Sequence, residues 1–405
     1  MSDLEKSKNQ LLSEIFESKR IENYLRAEVS ELWEYIRKVQ ALPFFNTWLK
    51  IATKINVKKR QKTNHDEKSF PAGDSTNVSP QIINCDFLFV YSSDVHEIGG
   101  LKTAGKLARD LSNLESWNIK GFALSHDPTI AKDDGLFVYK VLPESKIKNV
   151  VACGSDTIDA AMEIAKKFNA KLILLMMGLD QIFAPNWQES KNFIKAMQLA
   201  DLVICLAPHL AKQAKLYGAK NVAVATLGFD ERDFFYAGSE KKKKILIPCR
   251  ISPEKGLKVL LPVIPLLRNK GWEVVGFGDL QEHSAAEVFD RFLGRVGPND
   301  LMQEFQDTRF LIDPSWIEGL GLVALEASAC GVVPIITSRA DYVDLFTDSI
   351  KPFFELPNFI NPEKLIAIIE NHKNWPDPSH VCLSVSSLMW GKGLTQAASA
   401  LRNLF

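Results

Sequence analysis

The stretch Pro314-Ser315-Trp316-Ile317-Glu318-Gly319-Leu320-Gly321-Leu322-Val323-Ala324-Leu325-Glu326-Ala327-Ser328-Ala329-Cys330-Gly331 carries the densest structural signal in this chain. It follows a short apolar run, Phe310–Ile312, passes through a glycine-containing loop and enters an apolar, alanine-rich segment of helical character. A strand that turns through glycines into a helix presents unpaired N–H groups and a positive dipole end above the strand. Gly319 and Gly321 let the backbone approach a ligand closely. Such a turn suits a diphosphate. Glu318 lies in the loop, and Glu326 lies inside the helix, where a carboxylate accepts hydrogen bonds from vicinal sugar hydroxyls. Either glutamate alone reads equally well as an ordinary helix-start or surface acid; their spacing and context together make a site.

Upstream, Pro248-Cys249-Arg250-Ile251-Ser252-Pro253-Glu254-Lys255-Gly256 follows another apolar run. Arg250 offers a planar bidentate fork and Lys255 a compact point charge, the two side-chain types suited to phosphate oxygens. Ser252-Pro253-Glu254 reads equally as the cap and first turn of a helix. Gly99-Gly100 stands between a strand-like run, Cys85–Tyr91, and a helical pattern starting near Lys102. That passage either cradles a phosphate or makes a tight turn, and it lacks G-x-G-x-x-G spacing. No Walker A lysine motif occurs, which disfavours ATPase or kinase chemistry of that type, and no H-E-x-x-H, cysteine cluster or paired His/Asp group suggests a metal. Of the seven histidines, His96 and His126 alone follow predicted strands toward a cleft.

These motifs lie in two series of strand and helix signals. Residues 83–238 read as one doubly wound unit, with strands such as Lys120–Leu124, Gly135–Val141, Lys171–Met176 and Leu202–Leu206. The lysine run 241–244 opens a second unit, 239–385, with strands Ile245–Pro248, Glu273–Gly276, Phe292–Val296, Phe310–Ile312 and Val333–Ile336. Leu257–Leu267 reads there as one helix, and 386–405 as a closing C-terminal helix. The fold class is α/β: two Rossmann-like domains facing across a cleft, with ligand at the strand carboxyl ends. The 405 residues, 46% hydrophobic and 24% charged, are globular values. Forty-nine Lys and Arg balance forty-nine Asp and Glu, which argues against nucleic acid as a partner. The six scattered cysteines read as buried reduced thiols of a cytoplasmic protein.

Taken together, these residues resemble the retaining glycosyltransferases of family 4, which have the GT-B fold. The resemblance rests on the glutamate pair Glu318 and Glu326 within PSWIEGLGLVALEASACGVVPII, on RISPEKG at 250–256, GFGDL at 276–280 and FLGRV at 292–296. It spans about residues 85–370, with Gly99-Gly100 matching the glycine loop of the amino-terminal domain. It implies transfer of a sugar from a nucleotide-sugar to an acceptor hydroxyl with anomeric configuration retained, without metal or other cofactor. Glu326 would hold the ribose, Arg250 and Lys255 would neutralise the diphosphate with help from the amides around Gly321 and Leu322, Glu318 would contact the donor sugar, and Gly276 would belong to the donor side. The family often carries a histidine where this chain reads Met176-Met177-Gly178-Leu179-Asp180-Gln181, so Asp180, Gln181 and His126 are candidates for the acceptor and donor-sugar side. The turn Ser338-Arg339-Ala340-Asp341-Tyr342 also departs from the family. The run MMGLDQIFAPNWQES leans toward polysaccharide or O-antigen rhamnosyltransferases. A noncatalytic nucleotide-sugar-binding assembly protein of GT-B fold is the competing reading.

The amino-terminal 58 residues read as a helical extension and 59–82 as a linker. Residues 37–62 carry net charge +8 beside Phe44, Phe45 and Trp48, against −3 for 1–36 and −5 for the remainder. The segment 43–62 therefore fits either an anionic membrane surface, placing the protein at the inner membrane face beside a saccharide or lipid-linked acceptor, or its own catalytic domain. The apolar repeat within 20–40 offers a route to homo-oligomers.

Overall fold

In the computed structural model, the described residues are 82–93, 99–125, 137–138, 141, 143–178, 187–250, 255–280, 283–315, 318–337, 345, 355–356, 362–371 and 375–404. The helical extension, most of the linker, and the segments 20–40 and 43–62 lie outside them. All of the described residues belong to one compact unit, Gly73–Phe405.

The first series runs β1 (Asn84–Ser93), α1 (Gly99–Glu115), β2 (Ile119–Ser125), β3 (Phe137–Val138), β4 (Lys146–Ala152), α2 (Ile158–Phe168), β5 (Lys171–Met176), α3 (Trp187–Leu199), β6 (Leu202–Cys205), α4 (Pro208–Leu216) and β7 (Val222–Val224). Its seven strands are parallel, in the order β3-β2-β1-β4-β5-β6-β7. The second series runs β8 (Lys244–Cys249), α5 (Leu257–Leu260), α6 (Ile264–Asn269), β9 (Glu273–Gly278), β10 (Arg291–Phe292), α7 (Pro298–Asp307), β11 (Phe310–Asp313), α8 (Leu322–Ala329), β12 (Val333–Thr337), β13 (Glu355–Leu356) and α9 (Pro362–Glu370). It forms a six-stranded parallel sheet, β10-β9-β8-β11-β12-β13. Helices α10 (Pro378–Ser384) and α11 (Trp390–Arg402) close the chain. Two doubly wound sheets of this kind are the GT-B arrangement.

Burial explains the strand composition. Ile245, Leu246 and Ile247 are fully covered, as are Ile173, Leu174, Val203 and Ile312, because helices shield both faces of a parallel sheet. In each sheet the strand order reverses beside the first strand, between β1 and β4 and between β8 and β11. Loops leaving those strands part there, which opens a crevice at their carboxyl ends.

Several expected elements change shape. The helix anticipated over Leu257–Leu267 is broken into α5, a 3-10 turn at Leu261–Val263, and α6. Pro262 and Pro265 each lack the N–H that a continuous helix needs. The strand expected at Phe292–Val296 is only Arg291–Phe292, and of the stretch Gly135–Val141 the described pair Phe137–Val138 is strand. Gly99 and Gly100 form the opening of α1 itself rather than a turn ahead of it.

The C-terminal helix begins at Trp390 and returns to the first sheet. Its Arg402 pairs with Glu115 of α1 at 2.5 Å, and Gln396 Oε1 accepts from the Thr226 amide at 3.0 Å. The outgoing and returning connections run side by side, with Trp390 N donating to Phe229 O at 2.7 Å. They are so close that a Cβ on Gly228 would lie 1.7 Å from the Leu388 carbonyl oxygen. Gly228→Ala should therefore destabilise the fold by about 1–3 kcal/mol through overpacking. Chemical denaturation checks this, and an unchanged midpoint would contradict the close approach.

Candidate active site

The site assembles where β8 and β11 end side by side. Asp313, the last residue of β11, is 2% exposed, and its Oδ1 accepts from the Ser315 amide at 3.0 Å and the Ser315 hydroxyl at 2.5 Å. Burial, then the charge of Glu318, pushes the Asp313 carboxyl up, while Arg250 and the Ser315 hydrogen bonds pull it back. This clamp fixes how the chain leaves the strand toward Glu318. Opposite it, Gly256 sits at φ +67°, where a Cβ would fall 2.2 Å from the Pro314 carbonyl oxygen. Only glycine permits both the left-handed backbone and the contact. The loop bearing Arg250 and Lys255 is thereby pressed onto the loop bearing Glu318.

Glu318, 8% exposed, accepts through a single oxygen, Oε1, from Arg250 Nη1 at 3.1 Å and Lys255 Nζ at 2.9 Å. One carboxylate thus holds two cations, leaving a local excess of one positive charge. Burying such a group carries a desolvation cost that the mutual attraction must offset. Next to it α8 begins, capped by Gly321 at φ +64°. Its first intrahelical bond runs from Leu325 N to Gly321 O at 3.1 Å, so the amides before Leu325 point out of the helix start. Glu326, one turn further along, lines the same wall half-buried. Burial pushes its carboxyl up to about 7, with Lys102 and Arg250 opposing.

These groups face a cleft of about 510 Å³. Its other wall comes from the first sheet: Gly100, Lys102, Thr103 and Lys106 of α1, with Met177 and Gly178 following β5. Asp230, Asp233 and Trp390, on the two connections between the sheets, close its end. A second concavity of about 460 Å³ shares Asp230 and Trp390 but is lined by Asp110, Asn113 and Leu394 rather than by the glutamate pair.

Of the residues singled out in the sequence, Glu318, Arg250, Lys255, Glu326, Gly319, Gly321, Leu322 and Gly100 all line the cleft. Gly99 opens α1 beside them. Gly319 has a different reason to be glycine than the one expected. A Cβ there would lie 1.7 Å from the Met177 carbonyl oxygen, so it is the point where backbone from the two halves meets. Gly276 needs correction as well. It is buried inside β9, where a Cβ would press on the rings of Phe292 at 2.9 Å and Phe289 at 3.0 Å, and it does not line the cleft. Asp180, Gln181 and His126 lie outside the described residues. Lys102, Lys106, Asp230 and Trp390 were not anticipated. Only the first two left a sequence signal, a pair of lysines four apart just after the glycine pair. Among the described residues no group of three or more His, Cys, Asp or Glu is placed to hold a metal ion.

Comparison with known proteins agrees with this fold. Residues 242–366, which contain Arg250, Lys255 and both glutamates, match the family described as "Glycosyl transferases group 1". An uncharacterized glycosyltransferase of Methanocaldococcus jannaschii is 23% identical over 219 residues, 52% of this chain and 62% of that protein's length. The O-antigen chain mannosyltransferase B of Escherichia coli is 39% identical over 70 residues, 17% of this chain and 18% of its own. Among solved structures, Anabaena HepE in complex with UDP-glucose superposes with a TM-score of 0.63 at 13% identity, covering 78% of this chain and 99% of that one. The fold is GT-B, and the match to the group 1 glycosyltransferase family lies in its second half, over residues 242–366.

Glu326 provides a test of the electrostatics. Its folded carboxyl titrates at about 7, against 4.5 for an ordinary glutamate, so between those pH values the folded state holds more protons than the unfolded one. Stability must then fall as pH rises from about 4.5 to 7, and the cost is complete above 7. Glu326→Gln should raise the Tm of the unliganded protein at pH 8 and leave it nearly unchanged at pH 4.5. Equal shifts at both pH values would refute a half-buried carboxylate strained by its charge.

Proposed function

We propose that this chain is a retaining glycosyltransferase that moves a sugar from a nucleotide-sugar to an acceptor hydroxyl, in the synthesis of a cell-surface polysaccharide or glycolipid. The observation that carries the reading is the grip of Glu318 on both Arg250 and Lys255 beside the start of α8. Two cations held ready by one carboxylate are an anion site that an incoming diphosphate can claim. The diphosphate brings at least two negative charges against the single charge of Glu318, so it competes for both side chains. Glu318, released from them, turns to the donor sugar, and the ionised Glu326 receives the ribose hydroxyls.

Transfer then follows from charge. The sugar–phosphate bond breaks with its electron pair leaving on the diphosphate, and Arg250, Lys255 and the α8 amides stabilise that growing charge selectively. The acceptor oxygen bonds to the sugar carbon from the same face. Its proton passes to the departing phosphate oxygen. In this reading protein cations supply what a divalent ion would otherwise supply, so no metal takes part. Support comes from the group 1 domain match, from the UDP-glucose held by HepE, and from the short segment shared with an O-antigen mannosyltransferase. The lean of residues 176–190 toward rhamnosyl transfer belongs to this proposal, as does a lipid-linked acceptor approached from a membrane face through 43–62.

A noncatalytic nucleotide-sugar-binding protein has one observation in its favour: the cleft wall after β5 presents Met177. A thioether offers no proton-transfer group beside the sugar. Variants of the two glutamates separate the readings. Glu326→Ala should weaken nucleotide-sugar binding at least tenfold. Glu318→Ala should bind donor as well as the parent or better, since its cations are no longer occupied, while turnover falls about 100-fold. Calorimetry with donor-hydrolysis and transfer assays reads both. Saturable binding without hydrolysis or transfer in the parent protein would favour the binding-only reading.

A further inference from the structure

The charges of the cleft do not balance across its two walls, and the imbalance points to one more substrate-binding residue. On the α8 wall, Arg250 and Lys255 are matched by Glu318 and Glu326, so that wall is close to neutral once Glu326 is ionised. On the α1 wall, Lys106 is closed by Asp110 at 2.5 Å and Asp230 at 3.1 Å and lies over the Trp390 ring. Lys102 differs from all of these. It lines the same cleft, is exposed, and among the described residues has no salt bridge. Its charge reaches across to Glu326 on the opposite wall.

Its place in the helix is also unfavourable by local rules. Lys102 sits in the first turn of α1, a 17-residue helix with no acid in that turn. A cation there opposes the helix dipole, which favours negative charge at an N-terminus. A local rule broken without a local partner marks a functional position. An anion in the cleft would meet the Lys102 ammonium at the positive end of the α1 dipole.

We propose that Lys102 contacts the donor diphosphate from the first-sheet wall and supplies the positive charge that the α8 wall lacks. The inference rests on the glycosyl-transfer reading above. A nucleoside diphosphate carries about one more negative charge as a leaving group than it does esterified to the sugar. When the sugar–phosphate bond breaks and its electron pair goes to the diphosphate, Lys102 meets that added charge. The acceptor oxygen bonds to the sugar carbon, and its proton leaves on the same diphosphate. Because Lys102 and Arg250 lie on opposite walls, a diphosphate between them also ties the two halves together. Lys102 is then a group that assists both binding and departure.

The experiment is calorimetric titration of the full chain with UDP, GDP, ADP and dTDP and with the corresponding monophosphates, for the parent, Lys102→Met and Lys102→Arg. With no salt bridge to lose among the described residues, Lys102→Met should keep the parent's unliganded Tm. It should raise the diphosphate Kd about tenfold while leaving monophosphate binding within twofold, and Lys102→Arg should restore most of the affinity. Unchanged diphosphate affinity in Lys102→Met overturns the proposal, including the case in which only acceptor KM rises, since the lysine would then serve the acceptor. Equal losses for mono- and diphosphates also overturn it. If the parent binds none of the eight nucleotides, the glycosyl-transfer reading fails and this inference fails with it. If Glu326→Ala weakens diphosphate binding while Lys102→Met leaves it unchanged, only this inference fails.

Discussion

Everything at this site depends on one carboxylate oxygen holding two cations. Glu318 Oε1 takes both Arg250 and Lys255, from a loop after a different strand. Such pairing is possible only because β8 and β11 are neighbours whose loops are pressed together at Gly256 and Pro314 and set by the Asp313–Ser315 clamp. Two unlike strands, far apart in sequence, deliver opposite charges to one point. A buried ion cluster is poor evidence for stability, because desolvation works against it. Its retention beside an open helix start, in a cleft, is better explained by a ligand that exchanges with one of its members.

A second constraint fixes the opposite wall. The two connections between the sheets touch at Gly228 and Leu388, α11 returns to pack on α1, and Gly319 meets Met177 backbone to backbone. Lys106 binds Asp110 and Asp230 beneath Trp390, so the helix that opens with Gly99 and Gly100 is tied to both connections. The cleft therefore has two walls of defined position, each starting with a helix N-terminus and each carrying cations.

Much of this was legible in the sequence, for identifiable reasons. Strand–glycine–helix passages reveal themselves locally, so Glu318, Gly321 and Glu326 can be placed from residue order alone, and so can Arg250 and Lys255. What failed required knowing what packs against what. Gly276 looks like a ligand-facing glycine yet lies beneath Phe289 and Phe292, and Gly319, which does line the cleft, must be glycine because Met177 packs against it. The lysine run 241–244 marks the start of the second unit, but its charge alone does not reveal that Lys244 is 3% exposed and paired with Glu304 and Asp307. Lys241 is also buried, donating to the carbonyls of Phe305 and Cys330, and burial lowers its amine to about 8. Trp390 and Asp230 join the cleft through connections 160 residues apart, a proximity that no local pattern encodes.

Exchange of a nucleoside diphosphate for Glu318 on its two cations is the step on which the proposed chemistry stands. A crystal structure of the protein with a bound nucleoside diphosphate would observe that exchange itself. The expected result is phosphate oxygens about 3 Å from Arg250 and Lys255 and over the start of α8, with Glu318 withdrawn from at least one cation. A nucleotide bound elsewhere, or one bound while Glu318 keeps both partners, would contradict it.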